Sequence, residues 1–179
     1  MPVQEAKLVR TENGLAPEGD GWFVVNAREA VWEENAVMGG GTGFEAATNR
    51  FPDFGINIVV LDPGQPNCMY HGENEQEDFL VLGGECLLLV EGQERALGQW
   101  DFVHCPAWTE HVFVGAGERE CVLLAIGTRS GGDVVYPVAE VALRRRAGVE
   151  RETPSPEEAY AGYSEAAPAP YRDGWLPDR

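Results

Sequence analysis

Residues 70–84 read YHGENEQEDFLVLGG, and residues 100–111 read WDFVHCPAWTEH. Both stretches combine strand-forming apolar runs with acidic, glycine or proline positions, and together they contain every histidine of the chain: His71, His104 and His111. Apolar runs bounded by turn residues are typical of β-strands. Imidazole and carboxylate groups are ligands that divalent metals prefer. The two stretches therefore predict β-structure that carries a metal site.

Further short strands are predicted on either side of these stretches. Turn signals such as Asp62-Pro63-Gly64 and Gly83-Gly84 separate apolar runs at residues 56–61, 78–82, 86–90, 95–97, 102–105, 111–114 and 121–126. Short strands at this spacing favour a small antiparallel barrel or sandwich. We therefore predict an all-β fold.

The two flanks have weaker patterns. Residues 21–26 could form a first strand, whereas the following stretch to Arg50, which includes GGGTG at residues 39–43, shows no sustained periodicity and is interpreted as an arm. Residues 138–146 are predicted to be weakly helical, and Ser155 before Pro156 is a typical helix start. Residues 168–177 are too apolar for a simple disordered terminus.

The chain length favours one domain with flanking arms. We expect an N-terminal arm with one or two strands over residues 1–55 and a barrel core over residues 56–128. Residues 129–179 are expected to form a helical or irregular tail that packs on the barrel or on a partner subunit.

Composition limits the partners and the location of the protein. The 179 residues include 13 Lys and Arg against 30 Asp and Glu, which gives a formal charge of −17. Nucleic acid and anionic membrane are not expected partners, because both require a positive protein surface. The first residues lack the features of a signal peptide, and no apolar run reaches the length of a membrane span. We expect a cytoplasmic protein.

The four cysteines show no C-x-x-C pair of the kind that binds structural zinc. Each of Cys68, Cys86, Cys105 and Cys121 lies in or beside an apolar run. Small buried thiols in a reducing compartment are the expected interpretation. The alternative is a metal-ligand or redox role for Cys68 or Cys105, which flank the histidine segments.

The spacing of the acidic residues after His71 favours a shared site. His71 and Glu73 are two residues apart, so they point to the same face of an extended strand. Glu77 has the same parity but follows a short polar stretch that could bulge or turn. These side chains supply both imidazole and carboxylate.

Residues 56–128 resemble the cupins, small β-barrel proteins that often bind one metal inside the barrel. Their usual first motif has two histidines one residue apart, a glutamate about four residues later and a glycine seven residues beyond it. This chain has His71, then Glu73 in place of the second histidine, then Glu77 and Gly84.

The second cupin motif is also matched in part. It usually has a glycine, five residues, Pro-x-Gly, two residues, a histidine, three residues and an asparagine. Here Gly98 is followed after seven residues by Pro106-Ala107-Trp108, and His111 and Gly115 stand at the remaining positions.

The resemblance implies a cupin-like antiparallel β-barrel, also called a double-stranded β-helix or jelly roll, with one divalent ion inside. The implied ligands are His71, Glu73, Glu77 and His111. Zinc, iron, manganese, nickel and cobalt all accept such a set, so the identity of the ion stays open. If Glu73 turned away, Gln76 could replace it, or the site could have three protein ligands.

Three further residues near the motifs have predicted roles. His104 shares a strand face with Phe102 and is expected to lie in the core or to support a ligand from behind rather than to bind the metal itself. Trp108 replaces the motif glycine and could narrow the barrel mouth. Tyr70 points away from His71 on a regular strand; Tyr70 and His104 become candidate acid–base groups only if the register turns either one inward.

Three functions are consistent with these features. The first is a metal-dependent enzyme that acts on a small molecule, such as a dioxygenase or an isomerase. The second is a non-catalytic barrel that binds or senses a small ligand. The third is a structural dimerisation barrel without metal. Exposed barrel edges and long flanks also predict a homodimer.

Overall fold

The computed structural model describes residues 1–46 and 48–177, and β-strands dominate it. In chain order the strands are β1 (Lys7–Thr11), β2 (Gly14–Glu18), β3 (Trp32–Asn35), β4 (Gly39–Thr42), β5 (Phe54–Leu61), β6 (Gly72–Glu73), β7 (Glu77–Gly83), β8 (Glu85–Val90), β9 (Gln93–Gly98), β10 (Phe102–Cys105), β11 (His111–Ala116), β12 (Cys121–Thr128), β13 (Val134–Val135) and β14 (Ala167–Ala169). A 3₁₀ turn spans Ala27–Glu29, and two short helices, α1 (Glu140–Leu143) and α2 (Pro156–Ala159), follow β13. Position 47 of the predicted arm and positions 178–179 of the predicted tail lie outside the described residues.

Two sheets form the centre of the molecule. The larger sheet has the strand order β10-β7-β12-β5-β4-β3-β14, and the smaller has the order β11-β8-β9. Within the described residues every pair of these strands is antiparallel. The pairs β1-β2 and β6-β13 are separate two-stranded units.

The core lies between the two sheets because apolar side chains alternate along their strands. Phe79, Val81 and Leu123 of the larger sheet pack against Leu88 and Phe113 of the smaller one. We call the space between these two faces the barrel interior. The antiparallel jelly-roll class predicted from the sequence is confirmed.

The strands of the middle region agree with the sequence prediction to within about two residues at each end. β10 matches its prediction, residues 102–105, and β12 extends two residues past the predicted end at residue 126. Ser155 caps α2, since its side chain accepts a hydrogen bond from the Glu158 amide at 3.3 Å.

The prediction for the N-terminal flank was wrong in two respects. Residues 21–26 do not form a strand, and Trp22 makes only an isolated bridge to Glu5. The segment expected to be an irregular arm instead contains β4, which pairs with β5 in the larger sheet. Four strands, not one or two, therefore lie among the described residues before residue 54.

The C-terminal tail packs on the outer face of the larger sheet. β14 pairs with β3, and Trp175 is buried against Trp32, Val60 and Val122. Arg28 of the 3₁₀ turn donates a hydrogen bond to the carbonyl of Pro177 at 2.7 Å. The tail thus covers the part of that outer face around Val60 and Val122.

Neither helix in the described part of the chain is long and apolar enough to span a lipid bilayer.

Candidate metal centre

The two motif histidines face each other across a strand pair. The amide of His111 donates to the carbonyl of His71 at 2.8 Å, and the His71 amide donates back at 3.2 Å. Residues directly opposite in an antiparallel pair point to the same face. The imidazole rings accordingly lie side by side, with their centroids 5.2 Å apart.

Backbone carbonyls hold both rings in one orientation. Nδ1 of His71 lies 2.9 Å from the carbonyl oxygen of Met69, and Nδ1 of His111 lies 2.9 Å from that of Thr109. A carbonyl only accepts, so each neutral ring carries its proton on Nδ1 and a lone pair on Nε2. This arrangement is typical of metal-binding histidines. The ring nitrogen that does not bind the metal donates a hydrogen bond to a backbone or carboxylate oxygen.

Glu77 brings a carboxylate to these nitrogens from the start of β7. Its Oε2 lies 3.1 Å from Nε2 of His111 and 3.9 Å from Nε2 of His71. Among the described residues, no group donates a hydrogen bond to this buried oxygen. Burying a carboxylate oxygen without a partner is costly. Two nitrogen lone pairs and an unsatisfied oxygen thus converge on one point.

The spacing of these three atoms suits a metal ion. One ligand atom each from His71, Glu77 and His111 lies within 4.8 Å of the others. Ligands held about 2.1 Å from a tetrahedral ion lie about 3.4 Å apart. The observed distances of 3.1 and 3.9 Å bracket that value. The three residues therefore fit a divalent ion.

Glu73, the fourth predicted ligand, lies at the edge of this cluster. Its Oε2 is 4.0 Å from Nε2 of His71, and its side chain is more exposed than that of Glu77. Burial, together with the charges of Glu77 and Glu75, raises the pKa of Glu73 to about 7. Its carboxyl group therefore exchanges a proton near neutral pH.

The turn between Glu73 and Glu77 is held by Glu75, which points away from the site. Its carboxylate accepts hydrogen bonds from Thr128 Oγ1 at 2.6 Å and from the Ser130 amide at 2.7 Å. These bonds fix residues 74–76 against the end of β12. The turn therefore determines how Glu73 and Glu77 both reach the histidines.

Protonation of the two histidines differs because their neighbours differ. Burial and the nearby charge of His111 lower the pKa of His71. Burial also acts to lower the pKa of His111, but Glu77 beside it outweighs this effect and raises the pKa. Without a cation, a protonated His111 therefore forms an ion pair with Glu77. With neutral His111, Oε2 of Glu77 is left without a donor.

Two aromatic rings border the cluster, and the sequence analysis predicted neither of them. Phe79 lies 5.3 Å from the His111 ring, and Tyr136 lies 5.9 Å from the His71 ring. Tyr136 follows β13, which pairs with β6 beside His71. No motif spacing links it to His71, because only this long-range pairing brings the two together.

Several other predicted residues lie away from the cluster. His104 was expected in the core or behind the ligands, but it is half-exposed on the outer face of the larger sheet, 2.6 Å from Asp78. Gln76 donates to the same Asp78 at 2.6 Å, so it does not replace Glu73 here. Tyr70 is fully buried in a separate apolar cluster and its hydroxyl accepts from the Gly92 amide.

The cysteines are free thiols and do not complete the ligand set. Sγ of Cys68 lies 3.7 Å from Nδ1 of His71, on the side of the ring turned away from Nε2. Burial raises the pKa of the Cys68 thiol, as do the charges of Glu77 and Glu73. Cys105 is buried in the core between the sheets.

Comparisons with known proteins identify the fold family. Residues 57–127 match the family model described as a cupin domain. No curated protein sequence matches the chain.

Solved structures give matches to the same kind of fold. A sugar phosphate isomerase of the cupin superfamily from Silicibacter pomeroyi is 18% identical with a TM-score of 0.52, and the match covers 78% of this chain and 84% of that one. A candidate sugar phosphate isomerase from Acidithiobacillus ferrooxidans is 26% identical with a TM-score of 0.47. That match covers 53% of this chain and 61% of that one, less than two thirds of its length.

A third similar structure is the polyketide cyclase RemF from Streptomyces resistomycificus, at 17% identity and a TM-score of 0.47 over 56% of this chain and 72% of that one. The family model and the shared jelly-roll fold agree with the His71, Glu77 and His111 cluster inside the barrel. Residues 57–127 of the chain therefore form a cupin domain.

Proposed function

We propose that this protein is a metal-dependent enzyme acting on a small molecule, with one divalent ion held by His71, Glu77 and His111. The observation that carries the proposal is the convergence of two Nε2 lone pairs on a buried carboxylate oxygen that lacks a donor. A cation satisfies all three acceptors at once. Zinc, iron, manganese, nickel and cobalt are all candidates for such a ligand set.

The residues around the ion have separate tasks in this proposal. When bound, a divalent ion supplies Lewis-acid polarisation of a substrate oxygen. The carbonyls of Met69 and Thr109 keep the histidine rings oriented. Phe79 and Tyr136 limit water at the cluster and support the rings on their outer sides.

Glu73 remains the fourth predicted ligand, and its position also suits proton transfer. A pKa of about 7 is near the optimum for a general acid or base at neutral pH. A carboxyl group at this position, 4.0 Å from Nε2 of His71, suits a reaction that moves a proton, such as an isomerisation.

Metal content of the purified protein tests the proposal. Full-length protein made without an affinity tag is reconstituted with a transition metal, desalted and measured by elemental analysis. We expect about one equivalent in the wild type. His111→Gln, which keeps most of the side-chain volume, should lose most of the metal, and Glu77→Gln should weaken binding. Retention in Glu73→Gln would show that Glu73 is not needed to hold the ion.

His104→Ala is the matched control, because His104 lies on the outer face of the sheet. It should hold as much metal as the wild type. Chelation should lower the melting temperature of the wild type and of His104→Ala but not that of His111→Gln, since an ion that binds only the folded state adds stability. Equal metal content in all variants, or none in the wild type, would instead favour a metal-free binding or structural barrel.

Two further proposals concern the surroundings of the protein. The free thiols of all four cysteines support a reducing, cytoplasmic location. An uncovered apolar part of the larger sheet supports a homodimer, and its test is given at the end of the Discussion.

A further inference from the structure

A cleft of about 460 Å³ lies beside the barrel, between β4, β5 and the segment that follows α2. This volume is in the range of small-molecule sites. Asn57 and Val59 of β5 line it together with Tyr160 and Tyr163. The cleft is built largely by the flanks of the chain, outside the cupin motifs.

One wall of the cleft lies on the inner face of the larger sheet. Val59 packs against the core between the sheets, so Asn57, two residues away on the same strand, has its side chain on the same face. Asn57 is nevertheless exposed. On that face Asn57 is followed across the sheet by Ala125 and then Phe79, whose ring contacts His111. Two strand spacings, about 10 Å, therefore separate Asn57 from the wall of the metal cluster.

Small residues lie between the cleft and the cluster. Ala125 and Gly127 are the inward residues of β12 at this level, and both are only half-buried. A Cβ on Gly127 would meet the Glu77 side chain at an ordinary contact distance of 3.5 Å. This part of the interior is therefore not filled by large side chains.

A second path of contacts leads to the same place. Tyr160 packs at a right angle against Tyr136, 5.9 Å away, and Tyr136 lies 5.9 Å from the His71 ring. The cleft thus approaches the cluster from two directions, along the sheet from Asn57 and through the contact of Tyr160 with Tyr136.

The charges of the cleft are negative. Glu33 and Glu165 line it, and among its described lining residues none is Lys, Arg or His. Arg129 lies two residues after Gly127 and therefore on the same side of the chain. It donates a hydrogen bond to each carboxylate oxygen of Glu45, both at 2.7 Å. Its positive charge is therefore largely neutralised. A phosphate group entering this cleft would be repelled and would find no charged donor.

The Asn57 side chain and the Tyr163 hydroxyl offer both donors and acceptors, as hydroxyl groups of a ligand do, whereas Asn67 and Tyr160 already accept from the Phe113 and Met69 amides. We propose that this cleft binds the substrate of the metal centre, and that the substrate is an uncharged, hydroxyl-rich molecule rather than a phosphorylated one. The proposal rests on the proposed function, because it assigns the cleft to the same metal.

Ligand-detected NMR on the full chain tests it with three probe sets: neutral polyols and sugars, monophosphate esters of the same compounds, and primary amines. With protein loaded with Zn²⁺, binding is measured as saturation transfer from the protein to the protons of the probe. Protein loaded with Mn²⁺ reports proximity, because protons held near the paramagnetic ion relax faster. We expect polyols to bind, their esters to bind about tenfold more weakly or worse, and bound polyols to relax faster with Mn²⁺.

Two variants place the binding in the cleft. Asn57→Leu should abolish polyol binding, whereas Asn13→Leu, the same change in the exposed β1–β2 turn, should not. The double variant Glu33→Gln, Glu165→Gln should raise the affinity for the monophosphate esters. Metal content is measured on every sample.

Each of the remaining outcomes contradicts either the assignment of the cleft or the proposed function. Preferred binding of esters or of amines would contradict the substrate class, and binding unaffected by Asn57→Leu, or no binding by any probe, would contradict the site. Polyol binding without any Mn²⁺ effect, in protein that holds metal, would separate the cleft from the centre. Polyol binding in protein that holds no metal would leave the cleft as a ligand site and refute the proposed function alone.

Discussion

Trp108 differs from the residue type of its motif but keeps the backbone conformation that the motif glycine would adopt. It stands where the cupin motif usually has glycine, and its φ angle is 70°, in the left-handed region that favours glycine. A residue with a Cβ pays about 1–2 kcal/mol there. Its amide donates to the carbonyl of Glu73 at 2.6 Å, so this backbone shape supports a residue of the candidate site.

We expect Trp108→Gly to be more stable than Trp108→Ala by about 1 kcal/mol, because both lose the indole ring but only alanine keeps the left-handed strain. This order is the reverse of the usual one, in which alanine is favoured over glycine. Chemical denaturation of both variants, with the wild type as reference, measures the difference. Equal stability, or a more stable alanine variant, would show that the φ angle of Trp108 carries no strain.

At the candidate site, the sequence allowed the prediction of residues that lie in motif spacing. His71 and His111 were predictable because the two sequence motifs that carry them pair in the fold. Glu77 was predictable because it lies an even number of residues after His71, on the same face of an extended chain. Tyr136 and Tyr160 were not, since they reach the site through the flank, whose contacts no local pattern encodes. His104 was placed wrongly because the parity of β10 turns it outward with Phe102.

Among the elements, β4 was the hardest to predict and its glycines explain why. Strand prediction depends on alternating side chains, and Gly39, Gly40 and Gly41 have none. A Cβ on Gly41 would lie 2.9 Å from the carbonyl oxygen of Ile58, so glycine permits the close approach of β4 to β5. Residues 21–26 gave the opposite error, since a strand was predicted there and none forms. An apolar run forms a strand only where a partner strand is available.

The tail depends on the same glycine strand. A Cβ on Gly40 would lie 3.1 Å from the ring of Trp175, which also packs 4.9 Å from the Trp32 ring. Arg172 lies over the same indole at 5.3 Å from its centroid. The strand and the tail therefore fit one another, although 135 positions of sequence separate Gly40 from Trp175.

Trp175→Ala should lower the free energy of unfolding by about 3 kcal/mol, because a large buried ring is removed from a packed cluster. Only 8% of Trp175 is exposed, whereas Trp100 is 66% exposed. Trp100→Ala makes the same chemical change at the surface and should alter stability by only about 0.5 kcal/mol or less. Urea unfolding of both variants gives the comparison; similar losses in the two would refute the docking of the tail on the sheet.

For the whole molecule, charge and apolar surface together limit self-association. A chain with a formal charge of −17 repels its copies, so two copies approach most easily through a charge-poor face. The tail covers the outer face of the larger sheet around Val60 and Val122. The remainder of that face, which we call the outer patch, carries Ile56, Leu80, Phe102, Leu124 and Ile126.

The outer patch has few charges to desolvate. Its ionisable side chains include Asp78 and His104, which are bonded to each other at 2.6 Å. Phe102, on the edge strand β10, is 63% exposed. A second copy that covers this patch would bury apolar side chains on both sides of a two-fold interface, the common arrangement of soluble homodimers. A stable interface of this kind needs about 1,000 Å² or more in total.

We therefore expect the wild type to be a dimer at micromolar concentration in size-exclusion chromatography with light scattering, and Phe102→Asp to be a monomer. The substitution places a charge in each half of the interface, close to its symmetry mate, where desolvation is costly. Val24→Asp is the control, because Val24 is 77% exposed and lies outside the larger sheet; it should remain a dimer. A monomeric wild type would refute the dimer, and a dimeric Phe102→Asp variant would move the interface to another face of the molecule.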